Sequence, residues 1–523
     1  MRVILSGYNI DIDTLQELKE FLNSIVENLQ PQKFNSQNSL EKQRFLEELY
    51  ESAAELLNRD NLTPETLSAA YARISRSPLP VNELRQLARQ EVDRARKSNR
   101  NIIFGLGHSS VAEHAAFNFD IIGVSRLAVE AIEHFRLASY TEKSQRYVLF
   151  EDDYLCPAEI AGGQHEESFR RLIRQQNETY QKLYTILRPY FFDKYSEEAA
   201  EKKNHKRIEG LAKEDARYVI SLATQTQLGM TLNARSLENM VAKCSAHPLQ
   251  EVRDFSQNLY RSTEGIAPSI IKYMQPTEYL WQRSRMKSSL PEPDLPQKKQ
   301  TSQNSGEVEL LHIPTDADEK ILAALLFHYN GGNFNDCLLQ VNQFDKAKRY
   351  EIFAAIYRHL NGWDSLPREF EFIEMNFQLI VSASNFGQLK RHRMANLLAQ
   401  PYDISLGYTI PDSIRETGQL PLFSDIMKAT ADFYGKLRRE NPDAASYILT
   451  NAHRRRVLFK INLREFYHFS RLRGDEHAQW DIRQTAGKML ERVAGRLPVC
   501  GALLGGKDSF TRKKEKFFNS ETF

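Results

Sequence analysis

Between Phe117 and Ile121 the chain alternates, with Phe117, Phe119 and Ile121 on one side and Asn118 and Asp120 on the other, the period of a half-buried strand. From Val124 the period lengthens. Leu127, Val129, Ile132 and Phe135 are spaced for one helix face, and the predicted helix runs out into a polar segment carrying Glu142, Ser144 and Arg146. The same succession returns later. Glu369 to Val381 alternates, with Met375, Phe377, Leu379 and Val381 opposed to Glu374, Asn376 and Gln378. A helix is predicted from about Ser384, and it carries Arg391-His392-Arg393 ahead of a polar loop at Gln400 to Asp403. Met230 to Arg235 in the first half and Val457 to Arg464 in the second read as extended, each feeding a helix: one from near Ser236, the other through Phe466, Phe469 and Leu472. A short strand is predicted at Arg2 to Leu5, and residues 12–100 read as charged amphipathic helices, one starting at Thr63-Pro64-Glu65. Glu166 to Lys194 is helical with Tyr180, Leu183 and Leu187 inward, and another helix is predicted to begin at Glu214.

Set side by side, the halves share one order: strand, helix with basic residues, polar loop, insert, strand ending Asn-x-Arg, helix. Asn233-Ala-Arg235 has its counterpart in Asn462-Leu-Arg464, and Glu113 precedes one strand as Glu371 precedes the other. This reads as a diverged internal duplication. Gln282 to Val308 is rich in Ser, Pro, Gln and Lys and cannot build a core, so it divides the chain. The expected division is a first domain at 1–285, with a helical N-terminal extension, a linker at 286–308 and a second domain at 309–523.

The length of 523 residues suits two cores. A net charge of +2, with 26% charged residues, gives no reason to expect a polyanion or an anionic membrane as partner. Arg454-Arg455-Arg456 lacks the interleaved aromatics of a single-strand binder, so no nucleic acid is expected. Four cysteines, Cys156, Cys244, Cys337 and Cys500, are scattered without zinc-type spacing and suit a reducing compartment. No run approaches the ~18 apolar residues of a membrane span, and the opening apolar run is too short for a signal peptide. A cytoplasmic protein is the expectation.

A carboxylate, a hydroxyl and a guanidinium at Glu142, Ser144 and Arg146 can hold a phosphorylated, hydrogen-bonding ligand; a solvated loop is the duller alternative. Two decoys fall away. Gly501 to Asp508 imitates a phosphate loop, but Asp508 stands where a magnesium-binding hydroxyl is needed. His108, Glu113 and His114 lack the helical His pair of a zinc-protease motif, and no metal site is expected.

Taken with their spacing, these segments resemble the flavin-dependent thymidylate synthases. The first half contributes HSSVAEH, then Arg136, seven residues, Ser144, one residue and Arg146-Tyr147, then NARSL. The second contributes Arg391-His392-Arg393 and NLREFYHFSRLRGDEHAQWDIR from Asn462, with Arg471 to Arg483 the most specific piece. The resemblance implies an α/β (α+β) protein of two fused domains, each a small antiparallel sheet flanked by long helices. It implies conversion of dUMP to dTMP, with methylenetetrahydrofolate as carbon donor and NADPH-reduced FAD as hydride donor. It implies substrate binding by Glu142, Ser144, Arg146, Arg217 and Arg473, with Ser144, Arg146 and Arg473 closest to the chemistry. Flavin contacts are implied for His108, Arg136, Asn233, Arg235, Arg391, His392, Arg393, Asn462 and Arg464. Neither half keeps the whole pattern. The first reads His134-Phe135-Arg136 for the basic triplet; the second has Pro401 and Asp403 where Ser144 and Arg146 stand. Ser446 likewise replaces Arg217, and Arg473 has only Lys243 or Cys244 opposite it. Since sites in the family lie between subunits of a tetramer, complementary losses suit a homodimer that imitates a tetramer. A catalytically inactive flavin- or nucleotide-binding relative, and a related methyl or hydride transfer to another pyrimidine, fit the same residues.

Overall fold

A computed structural model describes residues 1–28, 39–58, 61–146, 148–150, 152–272, 274–284, 286, 290 and 306–519. Tyr147 and most of the expected linker, 287–289 and 291–305, lie outside the described residues.

Two four-stranded antiparallel sheets organise the fold. In the first, β1 (Arg2–Tyr8), β2 (Ala116–Ser125), β3 (Ala138–Glu142) and β4 (Gln225–Asn233) stand in the order β1-β2-β4-β3. In the second, β5 (Val308–His312), β6 (Glu374–Ser382), β7 (Asn396–Ala399) and β8 (Arg454–Asn462) stand in the order β5-β6-β8-β7. The register repeats as well: Ala116 lies opposite Asn233, and Glu374 opposite Asn462. The alternation behaves as expected, since Phe117, Phe119 and Ile121 on β2 and Met375, Phe377, Leu379 and Val381 on β6 are all buried. Helices cover that face. Phe377 packs beside Phe466 of the helix Leu463–Arg473, and Phe459 beside Phe469.

The asparagines that end β4 and β8 do the same work twice. Asn233 Oδ1 accepts from the backbone N–H of Ser236, and Asn462 Oδ1 from that of Glu465, each at 2.8 Å, capping the helices that follow. Two residues on, Arg235 pairs with Glu113 and Arg464 with Glu371. Each sheet therefore ends in a cap and an ion pair that lock its last strand to the turn before its second strand.

Several boundaries differ from the periodic reading. The helix after β2 is only Arg126–Ile132, so Phe135 lies beyond it, and β3 intervenes before the polar loop. The Tyr140 hydroxyl donates to the carbonyls of Ile132 and Phe135, taking acceptors that a longer helix would use. The helix expected from Glu214 instead spans His205–Ala216, and a 3-10 turn at Arg217–Val219 follows it. Residues 368–372 form a 3-10 turn rather than the start of a strand. β1 runs on to Tyr8, and Val308 already belongs to β5.

The chain forms two compact units, and neither is continuous in sequence. Unit 1 is Met1–Ser144, Asp153–Glu166 and Ala223–Pro291; unit 2 is Gln145–Asp152, Glu167–Leu222 and Glu292–Phe523. The first sheet lies in unit 1. The second lies in unit 2, together with nearly all of the helix Glu166–Lys194 and the whole of His205–Ala216 from the first half of the sequence. Within unit 2, Gln176 Nε2 donates to Thr430 Oγ1 and to the carbonyl of Ile448, both at 2.9 Å, and Tyr218 donates to Asp481 Oδ2 at 2.9 Å. Among the described residues no helix is long and apolar enough to cross a membrane.

Candidate functional site

Unit 2 gathers cations from both halves of the sequence around Arg473, which closes the helix Leu463–Arg473. Its Nε donates to Nε2 of His392 at 3.0 Å and its Nη1 to Gln388 Oε1 at 2.8 Å. Those two hydrogen bonds fix the guanidinium before any ligand arrives. Burial, with the nearby charges of Arg391 and Arg146 adding to it, holds the Arg473 guanidinium down at about 10. A charge in that position is stabilised by an anion.

Arg146 and Arg217 come from the first half. Arg146 forms an ion pair with Glu214, whose side chain is buried. Arg217 is 5% exposed, with Nε donating to the carbonyl of Glu214 at 3.2 Å and Nη2 to Ser384 Oγ at 3.0 Å. Burial lowers its pKa, Glu214 opposing that shift. Asn451 braces the same turn, donating from Nδ2 to the Arg217 carbonyl at 3.0 Å and to Gln145 Oε1 at 3.1 Å.

The basic triplet divides. Arg391 and Arg393 are exposed, whereas His392 is buried. The His392 ring lies edge-on to Phe469 with centroids 4.8 Å apart, and its Nδ1 is 3.2 Å from Glu465 Oε1. Since Arg473 donates to Nε2, the hydrogen belongs on Nδ1 and points at Glu465. Asn462 and Arg464 line a separate cleft of about 410 Å³ with Trp363, Glu465, His468 and Arg471. Arg464 is spoken for in part, by Glu371 at 3.0 Å and the carbonyl of Leu366 at 2.7 Å. Arg464 and the indole of Trp363, in the cleft, and the exposed Arg391 and Arg393, outside its lining, are of the chemical types that meet a flavin's phosphates and ring. His392 stands behind them, holding Arg473.

The remaining expected residues belong to unit 1. His108 is exposed just before a 3-10 turn, and Arg136 is exposed between the helix and β3. Glu142 ends β3 and pairs with Arg126, and Ser144 is half-buried. Asn233 and Arg235 are the cap and ion-pair residues of the first sheet. In the second half, Asp403 Oδ1 accepts from the backbone N–H of Ser405 at 2.9 Å, a turn-capping role unlike that of a phosphate ligand.

Much of the most specific sequence segment is used for construction. Gln479 caps the helix Trp480–Val493, and the Trp480 indole donates to Asp215 at 2.8 Å while stacking on Tyr218. Asp481 accepts from Ser382, Asn385 and Tyr218. Sequence reasoning missed Gln388, Glu214 and Glu465, which position the cations. Only Glu465 leaves a signal, an acid three residues after an asparagine, in the first turn of the helix that Asn462 caps.

The model of the family described as thymidylate synthase complementing protein matches residues 55–269 and 309–499. The flavin-dependent thymidylate synthase of Clostridium tetani is 31% identical over 217 residues, 41% of this chain and 83% of that protein. A UPF0159 protein of Thermoplasma acidophilum is 23% identical over 480 residues, 83% of this chain and 94% of that protein. The crystal structure of the flavin dependent thymidylate synthase ThyX from Helicobacter pylori, complexed with FAD and dUMP, matches 52% of this chain and 100% of its own at 16% identity, with a TM-score of 0.29. With the two matched segments together spanning more than half of its length, the chain belongs to the thymidylate synthase complementing protein family, which includes the flavin-dependent thymidylate synthases.

Proposed function

We propose that this chain is a flavin-dependent thymidylate synthase that methylates dUMP to dTMP, with methylenetetrahydrofolate as carbon donor and NADPH as the source of reducing equivalents. The observation that carries the reading is the gathering of Arg146, Arg217, Arg391 and Arg473 within unit 2, two from each half of the sequence. Each half alone has lost part of the family pattern, and in this reading the cations of one half make up for those the other has lost.

In this reading Arg473 and Arg146 bind the nucleotide phosphate, and the buried Arg217 adds to the positive field behind them. Gln388 and His392 orient Arg473, and Glu214 orients Arg146, so little side-chain freedom is lost when substrate binds. FAD, when bound, would supply the hydride, and Arg391, Arg393 and Arg464 would supply cations for its phosphates.

The purified protein is expected to be yellow and to form dTMP with dUMP-dependent oxidation of NADPH. Arg473→Ala and Arg146→Ala should each lower kcat/KM by about 100-fold, roughly 3 kcal/mol for removing a charge-assisted hydrogen bond to the phosphate. A colourless protein that forms no dTMP would overturn the proposal. Bound flavin without turnover would favour the inactive relative instead.

A further inference from the structure

Two cations of unit 2 have no part in the flavin reading, Arg471 and Lys507, and both line the cleft of about 410 Å³. Arg471 is 7% exposed. Its Nη1 donates to the carbonyl of Asp364, whereas Nε and Nη2 have no hydrogen-bond partner among the described residues. Those two nitrogens form one edge of the guanidinium, the edge that meets two oxygens of a single anion through parallel hydrogen bonds. A charged donor pair buried without an acceptor costs stability that a bound anion would restore. Lys507 is exposed, and its ammonium has neither an ion pair nor a hydrogen bond among the described residues. It belongs to Gly501–Asp508, the imitation phosphate loop, and lies past residue 499, where the match to the family model ends.

The acids of the cleft are engaged elsewhere. Asp364 Oδ2 accepts from the backbone N–H and the Nδ2 of Asn361 at 2.8 and 3.0 Å, Glu371 pairs with Arg464, and Glu465 faces the imidazole of His392. Two positive charges are therefore left to one wall of the cleft. We propose that Arg471, assisted by Lys507, binds a carboxylate of the glutamate tail of methylenetetrahydrofolate, the carbon donor.

The shape of the site selects a carboxylate. The rings of Tyr467 and Phe510 lie against the Arg471 guanidinium, their centroids 5.9 and 5.1 Å from its carbon. A carboxylate is flat and lies in the plane of the fork, whereas a tetrahedral phosphate carries further oxygens out of that plane, where the rings crowd them. In the proposed reaction, on which this inference rests, the phosphates of dUMP and FAD already have their own arginines. Of the two remaining cosubstrates, NADPH carries its negative charge as phosphate and the folate carries it as carboxylate. The two free nitrogens of Arg471 are shielded from water, and Trp363, 83% exposed, and the exposed Lys507 are the lining side chains that can turn to admit the tail.

Calorimetric titration of the full-length protein, supplemented with FAD, tests the site without turnover. The probes are 5-formyltetrahydrofolate and the same compound with both glutamate carboxylates converted to amides. The native chain is expected to bind the diacid about 100-fold more tightly than the diamide, the scale of hydrogen bonds to a charged group. Arg471→Met should weaken the diacid by about 30–100-fold and leave the diamide unchanged. Arg471→Lys, which keeps a charge but not the fork, should regain only part of that loss. Lys507→Ala, at an exposed position that folding does not depend on, should weaken the diacid by about fivefold and spare the diamide. Equal affinity of the native chain for diacid and diamide, or equal losses for the two in the Arg471 and Lys507 variants, overturns the carboxylate site and leaves the flavin reading in place. Binding of neither compound by the native chain overturns the folate reading, and the site with it.

Discussion

Glu214 touches no ligand in the proposed reading, yet it decides where Arg146 points, because its buried carboxylate forms an ion pair with that guanidinium. Glu214→Gln keeps the shape and removes the charge. We expect it to raise the KM for dUMP by about tenfold with kcat little changed, the pattern of weakened ground-state binding; a fall in kcat at constant KM would contradict the positioning role. A second residue sets a pH limit. His453 is buried, its Nδ1 accepts from the backbone N–H of Thr450 at 2.9 Å, and burial pushes its pKa down to about 4. In the unfolded chain the ring titrates near 6.5, so as pH falls the unfolded state takes the proton first. The stability that the neutral ring contributes is complete above about 6.5 and drains away as pH drops toward 4. Urea unfolding of the native chain and of His453→Gln at pH 7 and pH 5 should show the native chain losing more on acidification. None of these positioning roles was legible in the sequence, because Glu214, Gln388 and Thr450 become partners only through packing that the chain's helices bring about in space.

At the scale of elements, the two helix-capping asparagines that end β4 and β8 carry matched roles and should carry matched energies. Asn233→Ala and Asn462→Ala are each expected to cost about 1 kcal/mol, read as a lowered urea midpoint, as for other helix caps. A much larger loss at one of them would mean that its Nδ2 donor has a partner beyond the cap. The elements built on strong alternation, β2, β6 and β8, were legible, because each buries one side chain in two against a helix layer. β3 and β7 were not. Ala138–Glu142 and Asn396–Ala399 are short edge strands, and an edge strand with a polar outward face looks like loop in a single sequence. The early stop of the helix Arg126–Ile132 was hidden for another reason: the hydroxyl that ends it belongs to Tyr140, on the strand that was missed.

For the whole molecule, the sequence repeat and the compact units do not coincide, and this bears on how the protein can be divided. Cutting within residues 286–308 follows composition, but unit 2 would then lose residues 145–152 and 167–222. The fragment 309–523 would keep Asp481 and Thr430 while losing Tyr218 and Gln176, one buried hydrogen-bond partner of each. We expect that fragment alone to be expanded and prone to aggregation, with heteronuclear NMR showing poor dispersion, and co-expression with 1–285 to restore a folded complex. A well-dispersed spectrum from 309–523 alone would contradict this. The repeat itself, a buried alternating strand followed by a helix in each half, was visible in the pattern of residues. The exchange of the helical segment was not, since an amphipathic helix records that it has an apolar partner without recording which.

That exchange also sets an order of events at the ribosome. Tyr218 leaves the exit tunnel 263 residues ahead of Asp481, the acceptor of its buried hydroxyl. At ~5–20 residues per second the delay is about 13–50 s. Through that interval the apolar stripe of Phe169, Leu172, Ile173, Tyr180, Leu183 and Leu187 is newly made and lacks the later half of its own compact unit. A nascent chain in that condition is a natural client for a holding chaperone, and the time it spends waiting is set by translation rate, not by the fold's final stability.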